Sequence, residues 1–371
     1  MSPGSGVPVI PDPSGGSSFA ATGGWPALLS KVFERRDLDR LESAAAFEEV
    51  FAGRATPAQT AALVAALRTK GETIDELTGF AETMRAHAES VVVPPGTIDT
   101  CGTGGDRSGT INVSTLAAIV AAGGGIPVCK HGGRASSSRA GSADVLEALG
   151  VVIDLGPAGV ARCLEEAGIG FCLAARYHPA MRHAGPVRRE LGVATVFNFL
   201  GPLVNPGGVT RQVVGVGDRR MATTMAGVLE ANGVDHAIVC YGHDGLDELS
   251  TVTGSTIIEL RRGADGAISR AIWEVDPVAL GLVPAQPADL LGGDAPENAA
   301  FARAVLGGAT GPHRDLVLLN AAAAFLVADA VGDLDGGLAR AAESIDSGSA
   351  AAALDRLVAV SRAAGEAEGG A

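Results

Sequence analysis

The pattern of apolar residues changes at the VVVPP segment, residues 91–95, and this change constrains the fold more than any other feature. After it, short apolar runs alternate with alanine-rich stretches of helical periodicity. Such alternation predicts a largely parallel sheet covered by helices. The predicted strands cover residues 97–100, 127–130, 151–154, 171–174, 213–217, 237–241 and 255–260.

The region before this change carries only helical signals. Thr56-Pro57-Ala58-Gln59 combines a cap residue, a proline at the first helical position and a capping-box glutamine, and Thr73 to Glu76 forms a second capping box. We therefore predict a small N-terminal helical domain over residues 24–92, joined by helices near residues 178–200. An α/β domain with a central, mostly parallel sheet follows over residues 93–371. Residues 1–23, rich in Gly, Pro and Ser, are predicted to form a disordered tail.

Charge and cysteine usage exclude several classes of function. The 371 residues carry a formal net charge of −14, which argues against binding to nucleic acid or to an anionic membrane. The five cysteines are dispersed, as is typical of reduced cytosolic thiols. The most apolar helix-like run, residues 316–331, is too short to span a bilayer. We expect a soluble cytoplasmic protein.

Two glycine-rich segments each follow a predicted strand and precede a helix. DTCGTGGD (residues 99–106) leads into GTINVST (109–115), and KHGGRASSS (130–138) leads into GSAD (141–144). Glycines let the backbone approach a ligand closely, and a helix start points free N–H groups at an anion. The cations and hydroxyls of the second segment suit a diphosphate and a 5-phosphate on one sugar. Ordinary polar loops are the alternative, and neither the dinucleotide fingerprint nor the Walker pattern fits.

Two further pairs suggest a metal and a carboxylate ligand. Asp247-Glu248 follows a predicted strand and can hold one or two Mg²⁺ ions, to which the Ser114 hydroxyl can add a ligand. Arg188-Arg189 lies on a predicted helix and can hold a carboxylate bidentately. A solvated turn and plain helix-surface charge are the respective alternatives.

Taken together, these segments resemble the anthranilate phosphoribosyltransferase family. VRRELGVATVFNFLGPLVNP (187–206), DGLDELS (244–250) and both glycine-rich segments occur in the family's order, and the resemblance covers the chain from about Trp25. It implies transfer of phosphoribose from phosphoribosyl pyrophosphate to the amino nitrogen of anthranilate in tryptophan biosynthesis, with release of diphosphate. It also implies the nucleoside phosphorylase class II architecture, two Mg²⁺ ions and a homodimer formed through the helical domains.

The resemblance also implies roles for individual residues. Ser114 and Glu248 would hold one Mg²⁺, and Asp247 with Glu248 the second; Arg188, with Gly102 and Gly133, would bind the acceptor. No general base is expected, because the amine of anthranilate is already neutral near pH 7. The phosphoribosyl donor would be bound by Gly102, Gly105, Asp106, Thr110, Asn112, Val113, Ser114, Thr115, Lys130, His131, Gly132, Gly133, Arg134, Ala135, Ser136, Ser137, Ser138 and Ser142.

One residue departs from the family pattern. Gly133 stands where the family usually has the asparagine of KHGNR, which helps to position anthranilate. The absence of this asparagine implies weaker acceptor binding or a different aromatic amine as acceptor.

The sequence is also compatible with two different functions. One is a pyrimidine nucleoside phosphorylase, which would need neither Mg²⁺ nor Arg188, and the second is a catalytically weak paralogue that binds phosphoribosyl ligands or nucleic acid.

Overall fold

The computed structural model describes residues 16–21, 23–135 and 139–369. Within these residues, no helix is both long enough and apolar enough to cross a membrane. The helices are α1 Gly16–Ala21, α2 Gly24–Phe33, α3 Arg40–Phe51, α4 Pro57–Lys70, α5 Ile74–Ala86, α6 Val113–Gly123, α7 Ser142–Ala148, α8 Pro157–Ala167, α9 Ala174–Tyr177, α10 Met181–Leu191, α11 Val196–Leu200, α12 Arg219–Ala231, α13 Ala295–Leu306, α14 Pro312–Val327, α15 Leu334–Asp346 and α16 Ser349–Gly369.

The described strands form one sheet in the order β3-β2-β1-β4-β5-β6-β7. β1 to β5 are parallel, and β6 and β7 are antiparallel additions. The chain moves outward in one direction from β1 and in the other from β4, so a crevice opens at the carboxyl ends of these two strands. Their bounds are β1 Ile98–Gly102, β2 Val128–Gly132, β3 Ile169–Leu173, β4 Arg211–Gly215, β5 His236–Gly242, β6 Ser255–Arg262 and β7 Ile268–Val275.

The predicted α/β class is confirmed, but two strand assignments are wrong. Residues 151–154 form no strand: Val151 and Ile153 are buried, and the Val152 N–H donates to Ser361 Oγ of α16 instead of to a neighbouring strand. An extended segment that packs against a helix thus shows the same alternation of buried and less buried residues as a strand. β7 was missed because most of this edge strand is exposed, and it therefore lacks the apolar run that marks a buried strand.

Three of the N-terminal helices, α3, α4 and α5, begin at a side-chain cap. Asp39, Thr56 and Thr73 each close a capping box with the residue three positions later, at the starts of α3, α4 and α5. Their core is aromatic: the rings of Phe47 and Phe80 stack with centroids 3.7 Å apart, and Phe197 of α11 lies 5.5 Å from Phe47. α11 therefore contributes to the core of the N-terminal helices.

Two apolar cores lie on the two faces of the sheet. One face is covered by α6, α14 and α16, while the core of α2–α5 continues through α11 and α12 onto the other face. The limits of the two domains at residues 92 and 93 therefore stay a prediction.

Part of the predicted tail is helical instead. α1 places Phe19 against Trp25, with ring centroids 5.4 Å apart, so this apolar pair fixes a segment that its composition marks as disordered. Residues 1–15 and 22 lie outside the described part of the chain.

Candidate active site

The site is built where the turn after β5 packs onto the ends of β1 and β4. A Cβ added at Gly102 would overlap the Asp247 carboxylate, and one added at Gly215 would overlap the Asp247 carbonyl. The Gly104 N–H donates to Asp247 Oδ2 at 2.7 Å. Glycine at both strand ends therefore allows this carboxylate to lie directly over the crevice of the sheet.

Three carboxylates converge at this point. One oxygen each of Asp106, Asp247 and Glu248 lies within 4.8 Å of the others. Burial, and the charge of Asp106, raise the pKa of Asp247 to about 6. Burial, followed by the charges of Asp247 and Asp106, raises the pKa of Glu248 well above its usual range. Neighbouring carboxylates repel one another when all are ionised, and this repulsion raises their pKa values. A bound divalent cation would offset the repulsion, so the group fits a metal site.

Ser114, in the first turn of α6, lines a small cavity together with Asp247 and Glu248, and Lys130 contacts the Ser114 hydroxyl. Lys130 is 2% exposed, and its Nζ donates to the Thr100 carbonyl at 2.6 Å and to Ser114 Oγ at 3.3 Å. Burial lowers the pKa of Lys130, while the nearby Asp99 opposes the shift. Lys130 thus contacts Thr100 in β1 and Ser114 in α6, on either side of the first glycine turn. Its contact with the donor stays a prediction.

The remaining residues of the first segment surround the start of α6. Gly105 has a φ of 83°, Thr110 is bridged to Leu291, and Asn112 occupies the N-cap position. The Asn112 side chain makes no cap hydrogen bond and donates to the Ala140 carbonyl at 3.1 Å. Val113 and Thr115 are buried in the first turn.

The second segment is held mainly by α7. Arg134 pairs with Asp144 at 3.0 Å and with Glu147 at 2.8 Å, and the Ala135 N–H donates to Asp144. Arg134 would have to leave these carboxylates to bind a diphosphate. A side chain at Gly132 would overlap Ser142 Oγ, so Ser142 fills that space. Ser136, Ser137 and Ser138 lie outside the described residues.

Arg188, predicted to bind the acceptor, and two buried histidines are further polar groups of interest. Within the described residues, the Arg188 guanidinium makes no ion pair or hydrogen bond; it lies 5.5 Å from the Phe197 ring centre, and burial lowers its pKa. His131 and His178 are buried with ring centroids 5.0 Å apart. Burial lowers their pKa values to about 3 and about 4, so both are neutral at pH 7. A lone guanidinium in neutral surroundings fits an aromatic carboxylate.

Comparisons with known proteins agree on the family. A model described as "Glycosyl transferase family, a/b domain" matches residues 94–351, and one described as "Glycosyl transferase family, helical bundle domain" matches residues 26–88. The anthranilate phosphoribosyltransferase of Thermomicrobium roseum is 52% identical over 345 residues, which is 92% of this chain and 98% of that protein. The chain belongs to the anthranilate phosphoribosyltransferase family.

Solved structures of this family share the fold. The anthranilate phosphoribosyltransferase of Thermus thermophilus is 42% identical, with a TM-score of 0.84 over 90% of this chain and 99% of that one. The Saccharomyces cerevisiae enzyme in complex with PRPP and Mg is 26% identical, with a TM-score of 0.82 over 91% of this chain and 98% of that one. The predicted family, fold class and type of enzyme, a glycosyltransferase, are thereby confirmed.

The structure of this phosphoribosyltransferase-family chain also contains site features that the sequence did not predict. Asp106, predicted only as a donor ligand, joins the carboxylate group. Gly215 makes room for Asp247, His178 faces His131, and Asn298 hydrogen-bonds to Asn112. A sequence signal existed only for Asn298, since Gly292-Gly293 precedes its helix as glycines precede α6 and α7.

The raised pKa of Asp247 predicts that its replacement stabilises the metal-free protein. Its value of about 6 lies above the roughly 3.9 of an unfolded aspartate. The contribution of this group to the free energy of unfolding is therefore largest below pH 4, falls as the pH rises to about 6, and stays lowered above it. Asp247→Asn should raise that free energy at pH 8 by on the order of 1 kcal/mol, and the gain should vanish near pH 4.

Thermal melting in EDTA across this pH range measures the effect. Asp355→Asn, at an exposed site on α16, is the matched control and should leave the melting temperature unchanged. An Asp247→Asn protein that melts below the wild type at pH 8 would contradict the account.

Proposed function

We propose that this chain transfers the phosphoribosyl group of phosphoribosyl pyrophosphate to the amino group of anthranilate, giving N-(5-phosphoribosyl)anthranilate and diphosphate in tryptophan biosynthesis. The convergence of Asp106, Asp247 and Glu248 carries this proposal, because two of these carboxylates share a cavity with Ser114 of α6, so that a candidate cation site adjoins a helix start that can bind an anion. Arg188 adds the group that would bind the acceptor's carboxylate. The PRPP and Mg of the yeast complex, and the 4-fluoroanthranilate of another yeast structure, support the same assignment.

Two Mg²⁺ ions would be held by this group. Ser114 with Glu248 would bind one ion, and Asp247 with Glu248 the second, while Asp106 is close enough to add a third carboxylate. When bound, the ions would supply positive charge to the diphosphate as it leaves. The donor itself would be bound by the two glycine-rich segments, including Gly102, Gly105 and Thr110 in the first and Gly132, Gly133 and Ser142 in the second.

The chain's own residues would act by positioning and by charge. The amine of anthranilate is neutral near pH 7, so its lone pair can attack C1 of the ribose without a general base. Arg188 would orient the acceptor by binding the acceptor's carboxylate. The N–H groups at the start of α6 would stabilise the negative charge that develops on the donor's diphosphate. His131 and His178 are held neutral by burial and would exclude water from the acceptor side.

The metal assignment predicts a specific defect for Glu248→Gln. The variant loses a carboxylate ligand but keeps its shape, so its rate at low Mg²⁺ should fall by at least tenfold, about 1.4 kcal/mol, and recover partly at high Mg²⁺. The KM for anthranilate should change little. The loss of anthranilate fluorescence on adding phosphoribosyl pyrophosphate gives the rate.

Glu343→Gln, at an exposed site on α15, is the control. An Mg²⁺ dependence of Glu248→Gln equal to that of the wild type would refute the metal assignment. A wild-type protein that leaves anthranilate fluorescence unchanged would refute the function itself.

The Gly133 position predicts that acceptor binding can be improved. A Cβ added there would meet only the Ala174 Cβ, at 3.9 Å, and the backbone does not require glycine. Gly133→Asn restores the family's usual amide and should lower the KM for anthranilate by roughly tenfold, as expected for about one hydrogen bond. Gly133→Ala, which fills the space without an amide, is the control.

Steady-state kinetics with a panel of substituted aromatic amines tests both acceptor assignments for this site. A wild-type preference for another amine, with no gain on anthranilate from Gly133→Asn, would favour the alternative acceptor over anthranilate.

We also propose a cytoplasmic homodimer formed through the N-terminal helices. Phe33 at the end of α2 is 63% exposed and Leu41 in α3 is 73% exposed, and a second copy of this chain would cover them. Light scattering of the purified protein tests the assembly; a monomer at micromolar concentration would exclude it.

A further inference from the structure

The segment from Leu290 to Asn298, here called the brace, packs along the first glycine-rich segment. It joins a short 3₁₀ helix, Pro287–Leu290, to α13. The Gly292 N–H donates to the Gly109 carbonyl at 2.8 Å, and the Ile111 N–H donates to the Leu290 carbonyl at 3.3 Å. The brace therefore pairs with the backbone that leads into α6.

A chain of side-chain hydrogen bonds runs from the brace into the candidate donor site. The Gly293 N–H donates to Asn298 Oδ1 at 2.7 Å, and Asn298 Nδ2 donates to Asn112 Oδ1 at 2.9 Å. Asn112 Nδ2 then donates to the Ala140 carbonyl at 3.1 Å. Ala140 belongs to the second glycine-rich region, so this chain of bonds joins both halves of the donor site.

The direction of these bonds is fixed at both ends. A backbone N–H can only donate, so Asn298 must turn its oxygen to Gly293 and its nitrogen to Asn112. A backbone carbonyl can only accept, so Asn112 must turn its nitrogen to Ala140 and its oxygen to Asn298. Rotating either amide by 180° would break two hydrogen bonds. Asn298 is 3% exposed, so water is poorly placed to restore them.

This arrangement explains why Asn112 does not cap its own helix. Its amide is turned toward Asn298 and Ala140, and its side chain makes no cap hydrogen bond. One hydrogen and one lone pair of that amide remain for a ligand. A Cβ at Gly292 would lie 2.6 Å from Asn298 Oδ1, so the backbone at that position approaches the amide as closely as glycine allows.

We propose that Asn298 is a positioning residue for the phosphoribosyl donor, acting through Asn112 and the carbonyl of Ala140. The proposal rests on the proposed function only in taking phosphoribosyl pyrophosphate as the ligand. Asn298 would not contact the donor itself; it fixes the orientation of the Asn112 amide, and so which N–H and which lone pair are available to the donor.

The test compares three single variants by calorimetric binding of phosphoribosyl pyrophosphate with Mg²⁺ and by steady-state kinetics. Asn298→Asp keeps the side-chain shape but turns an acceptor toward Asn112 Oδ1, and Asn298→Ala removes the amide. Both should raise the Kd and KM for the donor, by about tenfold or more for Asn298→Asp. The KM for anthranilate should stay within about twofold of the wild type. Glu297→Ala removes one hydrogen bond of the capping box of the same helix and an exposed ion pair to Arg139, but leaves the bond between Asn298 and Asn112 intact, and should leave donor binding unchanged.

A double-mutant cycle with Asn112→Ala then tests the route of the effect. If Asn298 acts through Asn112, Asn298→Ala should weaken donor binding much less in the Asn112→Ala background than in the wild type. Unchanged donor binding in Asn298→Asp, equal losses for donor and anthranilate, or fully additive losses in the cycle would each overturn the proposal. Wild-type protein that binds the donor without turning over would defeat the proposed function alone, because the binding comparison stands without turnover.

Discussion

The close approach of Asp247 to the ends of β1 and β4 is the contact on which the candidate site depends. Gly102 and Gly215 face each other across the crevice of the sheet, and any side chain at either position would overlap Asp247. Because both positions are glycine, the turn after β5 can place its carboxylate over the sheet and accept the Gly104 N–H. The three carboxylates and the first glycine-rich segment are therefore one structural unit.

A buried polar network joins β1 and β2 near their first residues. Asp99 on β1 accepts a hydrogen bond from Asn205 at 2.8 Å, and Asn205 also donates to the Cys129 carbonyl. Lys130 lies near Asp99, and burial, the largest effect, raises the pKa of Asp99. Buried charges are costly unless they are paired, so such a network specifies one arrangement of β1 and β2. Lys130 on β2 in turn donates to Ser114 Oγ, and Ser114 lines a small cavity together with Asp247 and Glu248.

Much of this organisation could be predicted from the sequence, because it follows local rules. Capping boxes at Thr56 and Thr73 marked helices, and glycine-rich loops after strands marked the carboxyl edge of a parallel sheet. Asp247-Glu248 was found because paired carboxylates after a strand are a local pattern. The metal roles of these residues and the donor contacts of the glycine-rich segments stay predictions.

The features that were missed depend on long-range contacts. Asn298 hydrogen-bonds to Asn112, which lies 186 positions earlier in the chain. Gly215 and Asp247 are also distant in sequence and come into contact only in the folded chain. Residues 151–154 were assigned wrongly for a related reason, because burial against the distant helix α16 imitates the pattern of a strand. β7 was missed for a local reason: it pairs with β6, which directly precedes it, but an exposed edge strand lacks the apolar run of a buried one.

A crystal structure with phosphoribosyl pyrophosphate and Mn²⁺, in which anomalous scattering locates the ions, tests the metal and donor sites most directly. We expect an anomalous peak within roughly 2.0–2.5 Å of a carboxylate oxygen of Asp247 or Glu248, with the diphosphate between that ion and the start of α6. A donor bound elsewhere, or ions that avoid both carboxylates, would contradict this expectation.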